Sequence, residues 1–180
     1  MNLEAPYRQE IRILEPRVLV DGRGHVMEMW SERSLRQAGI DLVIRAETLA
    51  RSSRGVVRGL HHQIERPQAR LVRVLSGAIF AVAVDVRRSS PAFGAATCVE
   101  LNDENRRAVF VPEGFSFGFM GLSGFSDVLI CASEAHEPRD EHILMWNDPA
   151  LGIEWPDVGP VVLSRSDQSG RSLQDVETLD

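Results

Sequence analysis

Ala69-Arg70-Leu71-Val72-Arg73-Val74-Leu75, then Ser76-Gly77, then Ala78-Ile79-Phe80-Ala81-Val82-Ala83-Val84-Asp85-Val86, is a pair of short apolar runs separated by a turn. Runs of this length bounded by turn residues read as strands. The same pattern continues outward. Gly55 to His61, Ala95 to Leu101, Ala108 to Val111, Phe115 to Leu122 and Asp127 to Ala132 are further runs, with turns at Ser89-Ser90-Pro91 and Asn102-Asp103-Glu104-Asn105. Upstream lie Leu42 to Ala46, Arg12-Ile13-Leu14, Val18-Leu19-Val20, a turn at Asp21-Gly22-Arg23-Gly24 and a strand from His25 to Trp30. Ser31 to Gly39 has a Ser cap, helix formers and a terminal Gly, which predicts one short helix. Many short strands with regular turn punctuation predict an all-β sandwich or barrel with a few short helices. No internal repeat or linker divides residues 1–180, so they are read as one domain, and the polar tail from about Ser164 is expected to be helical or partly disordered.

Composition narrows the classes. A chain of 180 residues with 43% hydrophobic content fits one domain with a sizeable core. The net charge of −6 gives no general attraction to nucleic acid or to an anionic membrane, and neither is expected as a partner. Every basic residue is Arg, and Arg23, Arg51, Arg54, Arg58, Arg66, Arg70 and Arg73 crowd the first half of the chain. An all-arginine set suits bidentate phosphate recognition, although coding bias alone also produces it. Two cysteines, Cys98 and Cys131, are too few for a disulfide framework or a zinc site. No signal peptide is read at the start, and no apolar run approaches the roughly 20 residues that cross a bilayer. A reduced, cytoplasmic protein is expected.

Arg58-Gly59-Leu60-His61-His62-Gln63 puts adjacent histidines on a strand, where successive side chains leave on opposite faces. One enters the interior while the other faces out. Val111-Pro112-Glu113-Gly114-Phe115-Ser116-Phe117 resembles the Pro-x-Gly-x-x segment with which cupin barrels present a metal-binding histidine, but here that position is Phe117. An interior histidine without its second ligand points to acid–base chemistry without a metal. The vicinal pair cannot supply two ligands on one face, so a metal would need distant partners such as His25 or His142; no metal and no cofactor is expected.

Longer stretches carry a closer resemblance. Arg54 to His61, Arg70 to Gly77 with Val82-Ala83-Val84-Asp85, Val111 to Phe115, and Trp146 to Pro156 resemble the dTDP-4-dehydrorhamnose 3,5-epimerases, in the same order and from about Ile13 to Asp167. The resemblance implies a cupin-like double-stranded β-helix (a jelly roll) and a homodimer that exchanges its N-terminal strands, within residues 1–30. It also implies a nucleotide-diphosphate sugar with a 4-keto group as substrate. His61 is then the base, because an imidazole titrates near neutral pH. The resemblance implies that Asp167 orients it and that Arg70 stands where a lysine stabilises the enolate oxygen. His136 falls where the family is read to carry its acid, a tyrosine; the chain's one tyrosine, Tyr7, is a poor candidate. Arg23, Glu28 and Arg58 match nucleotide-binding positions, and Gln63 and Phe117 complete the predicted substrate contacts. Ala46, Thr48 and Ser166 stand where the family usually has Gln, Asn and Lys.

The function expected is metal-independent epimerisation of a dTDP-4-keto-6-deoxyhexose at C3, C5 or both, in deoxysugar biosynthesis. The competing reading is a non-epimerising cupin, either a ketoisomerase or a sugar-nucleotide binding protein. A dinucleotide fingerprint, a phosphate loop and a G-x-S-x-G elbow are all absent, which sets aside the corresponding enzymes.

Overall fold

The computed structural model describes residues 10–180; Tyr7 and the rest of 1–9 lie outside them. Twelve strands form among the described residues: β1 (Arg12–Leu14), β2 (Val18–Asp21), β3 (Gly24–Met27), β4 (Ala46–Ser53), β5 (Val57–Gln63), β6 (Arg70–Ser76), β7 (Ala78–Asp85), β8 (Ala96–Asn102), β9 (Ala108–Val111), β10 (Phe115–Gly121), β11 (Phe125–Ala132) and β12 (Glu141–Ile143). One five-stranded sheet runs β1-β9-β6-β11-β4 and a second runs β12-β5-β10-β7-β8. All of these pairings are antiparallel. The β2–β3 hairpin stands apart as a two-stranded sheet. This is the all-β sandwich that the runs and turns predicted, in the jelly-roll form that the resemblance implied.

Alternation along the strands divides the apolar residues into layers. Between the two sheets Val72, Val74, Ile79, Ala81, Val109, Phe115, Phe117, Phe119 and Val128 form the central core. On the outer face of the second sheet Leu60, Val82, Val84, Val86 and Leu144 are covered by Leu151 and Val176. On the outer face of the first sheet Leu71, Ala108 and Cys131 are covered by Leu35 and Ile40. Leu35 lies on the helix α1 (Glu32–Gln37), whose N-terminus is closed by reciprocal bonds between Ser31 and Ser34.

Three expectations are corrected. The run Leu42 to Ala46 is not a strand; the strand is Ala46–Ser53, which starts where the run ends. The strand expected from His25 to Trp30 ends at Met27. The tail is neither a long helix nor loose. Val176 is buried and Leu179 pairs with Arg87, so the last residues lie against the second sheet.

A bulge in β5 sets the direction of its cavity-facing side chains. Phe117 and Phe119 of β10, two residues apart, stand opposite His61 and Arg58, which are three apart. The extra residue on β5 re-aims the strand, and two side chains that plain alternation would send to opposite faces share one. Gly59 sits in the bulge with φ +118°, and a Cβ there would lie 2.6 Å from the Cα of Gly118. Only a glycine fits so close a backbone approach.

Candidate active site

At one end of the barrel the two sheets part around a cavity of about 440 Å³, within the range of small-molecule sites. Strand β4 contributes Ala46, Thr48 and Ala50; β5 contributes Arg58 and His61; Arg70, Phe117, Phe119 and Ile130 come from β6, β10 and β11. Glu134, His136 and Glu141 line the rim on one side, and Ser164, Ser166 and Asp167 close the other.

Asp167 is buried, and its Oδ1 lies 2.7 Å from Nε2 of His61. The same oxygen accepts the Gly59 N–H at 3.1 Å, while Oδ2 accepts the Ser164 hydroxyl at 2.6 Å. Burial alone would raise this carboxyl's pKa, but the bonds from His61, Ser164 and Gly59 outweigh it and bring it down to about 2. Asp167 is therefore a carboxylate at neutral pH, and it fixes the proton of His61 on Nε2. Nδ1 is left as the basic nitrogen, with Glu141 Oε1 3.6 Å away.

Arg70 is buried, donating to the His61 carbonyl at 3.1 Å and to Oε1 of Gln68 at 2.8 Å. Burial lowers its guanidinium to about 10, with Glu141 opposing the shift, so it stays cationic at neutral pH. A cation beside an imidazole, in a cavity floored by Phe117 and Phe119, can stabilise an oxyanion formed by proton removal.

The other predicted residues divide. Arg58 lines the cavity, held by Ser52 Oγ at 2.9 Å and the Arg51 carbonyl at 3.2 Å. His136 lines the rim with its side chain 56% exposed. Phe117 is both floor and core, and offers only apolar surface. Arg23 and Glu28 do not reach this cavity. Arg23 is at the tip of the β2–β3 hairpin, paired with Asp21, and Glu28 accepts the Ser31 hydroxyl beside a separate cleft. Gln63 is buried away from the cavity, and its amide bonds Arg66 O, Ala135 O and the Glu137 N–H. Of the other early arginines, Arg51 pairs with Asp127 and Arg73 donates to the carbonyls of Arg106 and Met29.

The outward histidine of the vicinal pair is also a correction. His62 does leave the opposite face from His61, but it is buried, with Nδ1 3.2 Å from Ser116 Oγ and Nε2 2.7 Å from the Glu177 carbonyl. Burial brings its pKa down to about 4, so the ring is neutral. Glu141, Gln68 and Ser164 are cavity residues that the sequence reading did not single out. Among the described residues no three His, Cys, Asp or Glu side chains are grouped to hold a metal ion. Nor is any described helix long and apolar enough to cross a membrane.

Comparison with known proteins adds a second line. Residues 8–175 match the family model described as dTDP-4-dehydrorhamnose 3,5-epimerase. A protein of that name from Methanothermobacter thermautotrophicus is 41% identical over 165 residues, covering 91% of this chain and 89% of its own. Among solved structures, the dTDP-6-deoxy-D-glucose-3,5-epimerase of Legionella pneumophila Philadelphia 1, in complex with dTDP-4-keto-L-rhamnose, superposes with a TM-score of 0.89. It is 37% identical and covers 93% of this chain and 90% of that one. ChmJ, a 3'-monoepimerase from Streptomyces bikiniensis in complex with dTDP-quinovose, gives 0.86 at 33% identity, over 92% and 84%.

Proposed function

The chain belongs to the dTDP-4-dehydrorhamnose 3,5-epimerase family, and from that premise we propose that its His61–Asp167 pair removes a proton next to the ketone of a dTDP-4-keto-6-deoxyhexose. The enzyme is an isomerase of nucleotide sugars in deoxysugar biosynthesis. A hydrogen on carbon next to a carbonyl is acidic only if the electron pair left behind is accepted as an enolate. Nδ1 of His61 takes the proton, and the electron pair moves into a new C=C bond as the carbonyl oxygen becomes an oxyanion facing Arg70. Asp167 holds the imidazole in the reactive tautomer and stabilises the imidazolium that forms. His136, the second imidazole lining the cavity, is the proposed donor that returns a proton to carbon. The observation that carries the reading is the 2.7 Å contact between a buried carboxylate and a cavity-facing histidine, with a buried cation in the same cavity.

Arg58 is proposed to bind the diphosphate from within the chain. Arg23 and Glu28 are proposed to act on the cavity of a second copy, in a homodimer that exchanges N-terminal strands. In support, the hairpin that carries Arg23 exposes Leu19, Val20 and Val26, a set of apolar side chains expected to be covered. Since the relatives above are epimerases, the ketoisomerase and binding-protein readings are left without support. The cytoplasm, which supplies nucleotide-linked sugars, is the proposed site of the reaction.

The test is a panel of 4-keto sugar nucleotides incubated in deuterated buffer and followed by NMR. Deuterium entering at C3 or C5 with inversion is the expected outcome, and the carbon that inverts is assigned directly. Unexchanged hydrogens at both carbons across the panel would overturn the reading.

A further inference from the structure

Base catalysis leaves a problem that the His61–Asp167 pair does not solve. After each abstraction His61 carries an extra proton, and Asp167, with a carboxyl held at about 2, does not take it. Some other group must receive it before the next turnover. Glu141 is placed for this. It lies on β12 opposite Gln63 of β5, which makes it a diagonal neighbour of His61 on the same face of the sheet. Its Oε1 is 3.6 Å from His61 Nδ1 and 3.7 Å from His136 Nδ1, so one carboxylate oxygen stands between the two imidazoles. Side-chain exposure runs from 5% at Asp167 through 28% and 23% at His61 and Glu141 to 56% at His136. The series therefore leads from the buried end of the site to solvent.

The far end of the series is held in place. The Gln63 amide bonds the backbone on both sides of His136, at Ala135 O and at the Glu137 N–H. The other charged groups facing this part of the cavity are Arg70, Arg58 and Glu134, and Arg70 feels Glu141 as an opposing charge. Asp140 and His142, the neighbours of Glu141 in the chain, leave on the reverse face, where Asp140 binds the backbone of residues 64–66 and His142 stacks on His62.

We propose that Glu141 is a proton-carrying residue that couples His61 to His136, so that the proton taken from the sugar leaves the base through the carboxylate. This rests on the epimerase reading above. The balance is simple. A C–H bond breaks and its electron pair stays with the enolate; the proton on Nδ1 of His61 passes to Glu141 Oε1, and His61 is again neutral. His136 Nδ1 takes that proton and gives up the one on its other nitrogen, to water or to the carbon being reprotonated. Both gaps exceed a hydrogen bond, so the carboxylate serves one histidine at a time. Gln63 is a positioning residue that keeps His136 within its reach.

The experiment compares wild type, Glu141→Gln, Glu141→Asp and His136→Phe on dTDP-4-keto-6-deoxyglucose in deuterated buffer, with imidazole varied at constant pH and ionic strength. Glu141→Gln keeps the shape and removes the carrier. Its kcat is expected to fall on the order of tenfold or more with KM little changed, and to climb back as imidazole is added. Glu141→Asp should recover part of the rate without imidazole. His136→Phe should show the same buffer dependence. A Glu141→Gln enzyme with normal kcat, with a defect confined to KM, or with a loss that no imidazole concentration repairs, overturns the relay while leaving the epimerase reading standing. A wild type that exchanges no hydrogen would remove that reading, and the relay with it.

Discussion

The two faces of β5 treat the same side chain in opposite ways. On the cavity face His61 is partly exposed and meets carboxylates at both ring nitrogens, Asp167 at 2.7 Å and Glu141 at 3.6 Å. On the reverse face His62 is buried between a hydroxyl and a backbone carbonyl, with the His142 ring stacked on it at 5.6 Å. Carboxylates favour a protonated ring, whereas a carbonyl and a hydroxyl satisfy a neutral one. One face thus pairs its histidine with carboxylates, while the other holds a ring that stays neutral. A histidine's function here is decided by what the sheet packs against each face, and the residue type alone says little.

The largest expected effect tests the cavity face. His61→Asn should reduce exchange and inversion by about 10³-fold or more while the melting temperature moves little, because the side chain faces the cavity instead of the core and asparagine keeps an N–H donor to offer Asp167. Near-normal turnover in that variant would break the comparison. The reverse face should answer in stability. The folded chain holds His62 at about 4 against 6.5 for a free histidine, so below pH 6.5 the unfolded chain takes up a proton that the folded chain refuses. Stability is fully present above pH 6.5 and falls as pH drops towards 4, by on the order of 3 kcal/mol for this one group. His62→Gln should lower the urea midpoint at about pH 7, through loss of the Glu177 and Ser116 contacts, but flatten the acid slope between pH 6.5 and 4. An unchanged slope would mean that another group carries it.

Much of the fold was legible because most strands have an apolar face against a core. Ala108 to Val111 was read to the residue, and Ala78 to Val86 within one. Strand β4 was misread for a physical reason. Its inward residues Ala46, Thr48 and Ala50 line a cavity instead of filling a core, and its outward Leu49 is exposed, so neither face carries a continuous apolar signal. Strand β12 is three residues long and has no period to read. The tail's apolar anchors, Leu173, Val176 and Leu179, stand three apart among polar residues, which is not the alternation of a strand and is too short a run to establish a helical face. In the site, the vicinal histidines drew attention to His61. The bulge that brings Arg58 to its side inverts the alternation a sequence reader relies on, and Glu141 belongs to the strand that was not seen.

Asp167 sharpens the contrast within the cavity face. Asp167→Asn keeps an acceptor for the Gly59 N–H but loses the charge that stabilises an imidazolium, so kcat should fall on the order of tenfold to hundredfold. Its stability effect should appear in a different pH window from that of His62. The carboxyl is depressed from 3.8 to about 2, so its contribution is present above about pH 4 and is lost only as pH falls towards 2. The slope that the Asp167 carboxyl itself contributes therefore lies below about pH 4, outside the window of His62. An Asp167→Asn variant whose acid unfolding between pH 4 and 2 matched that of wild type would show that the carboxyl is not held down by its bonds to His61, Ser164 and Gly59.

The smallest expected effect concerns binding, and it separates what one chain supplies from what a partner supplies. Arg58 shares the cavity with His61, whereas Arg23 stands on the hairpin with its side chain 91% exposed and does not line that cavity. Charge-assisted bonds to phosphate oxygens are worth about 1.5–3 kcal/mol, so Arg58→Ala should weaken dTDP binding on the order of tenfold, read by calorimetry. Under strand exchange Arg23→Ala should weaken it comparably. The two should then complement each other: mixing Arg23→Ala chains with Arg58→Ala chains places both intact arginines at one cavity of a mixed dimer. About half of the cavities in such mixed dimers should bind as tightly as wild type, giving a biphasic isotherm. If Arg23→Ala binds normally and the mixture shows one weak phase, the hairpin does not serve a partner's cavity, and the face that carries His61 takes its phosphate contacts from its own chain.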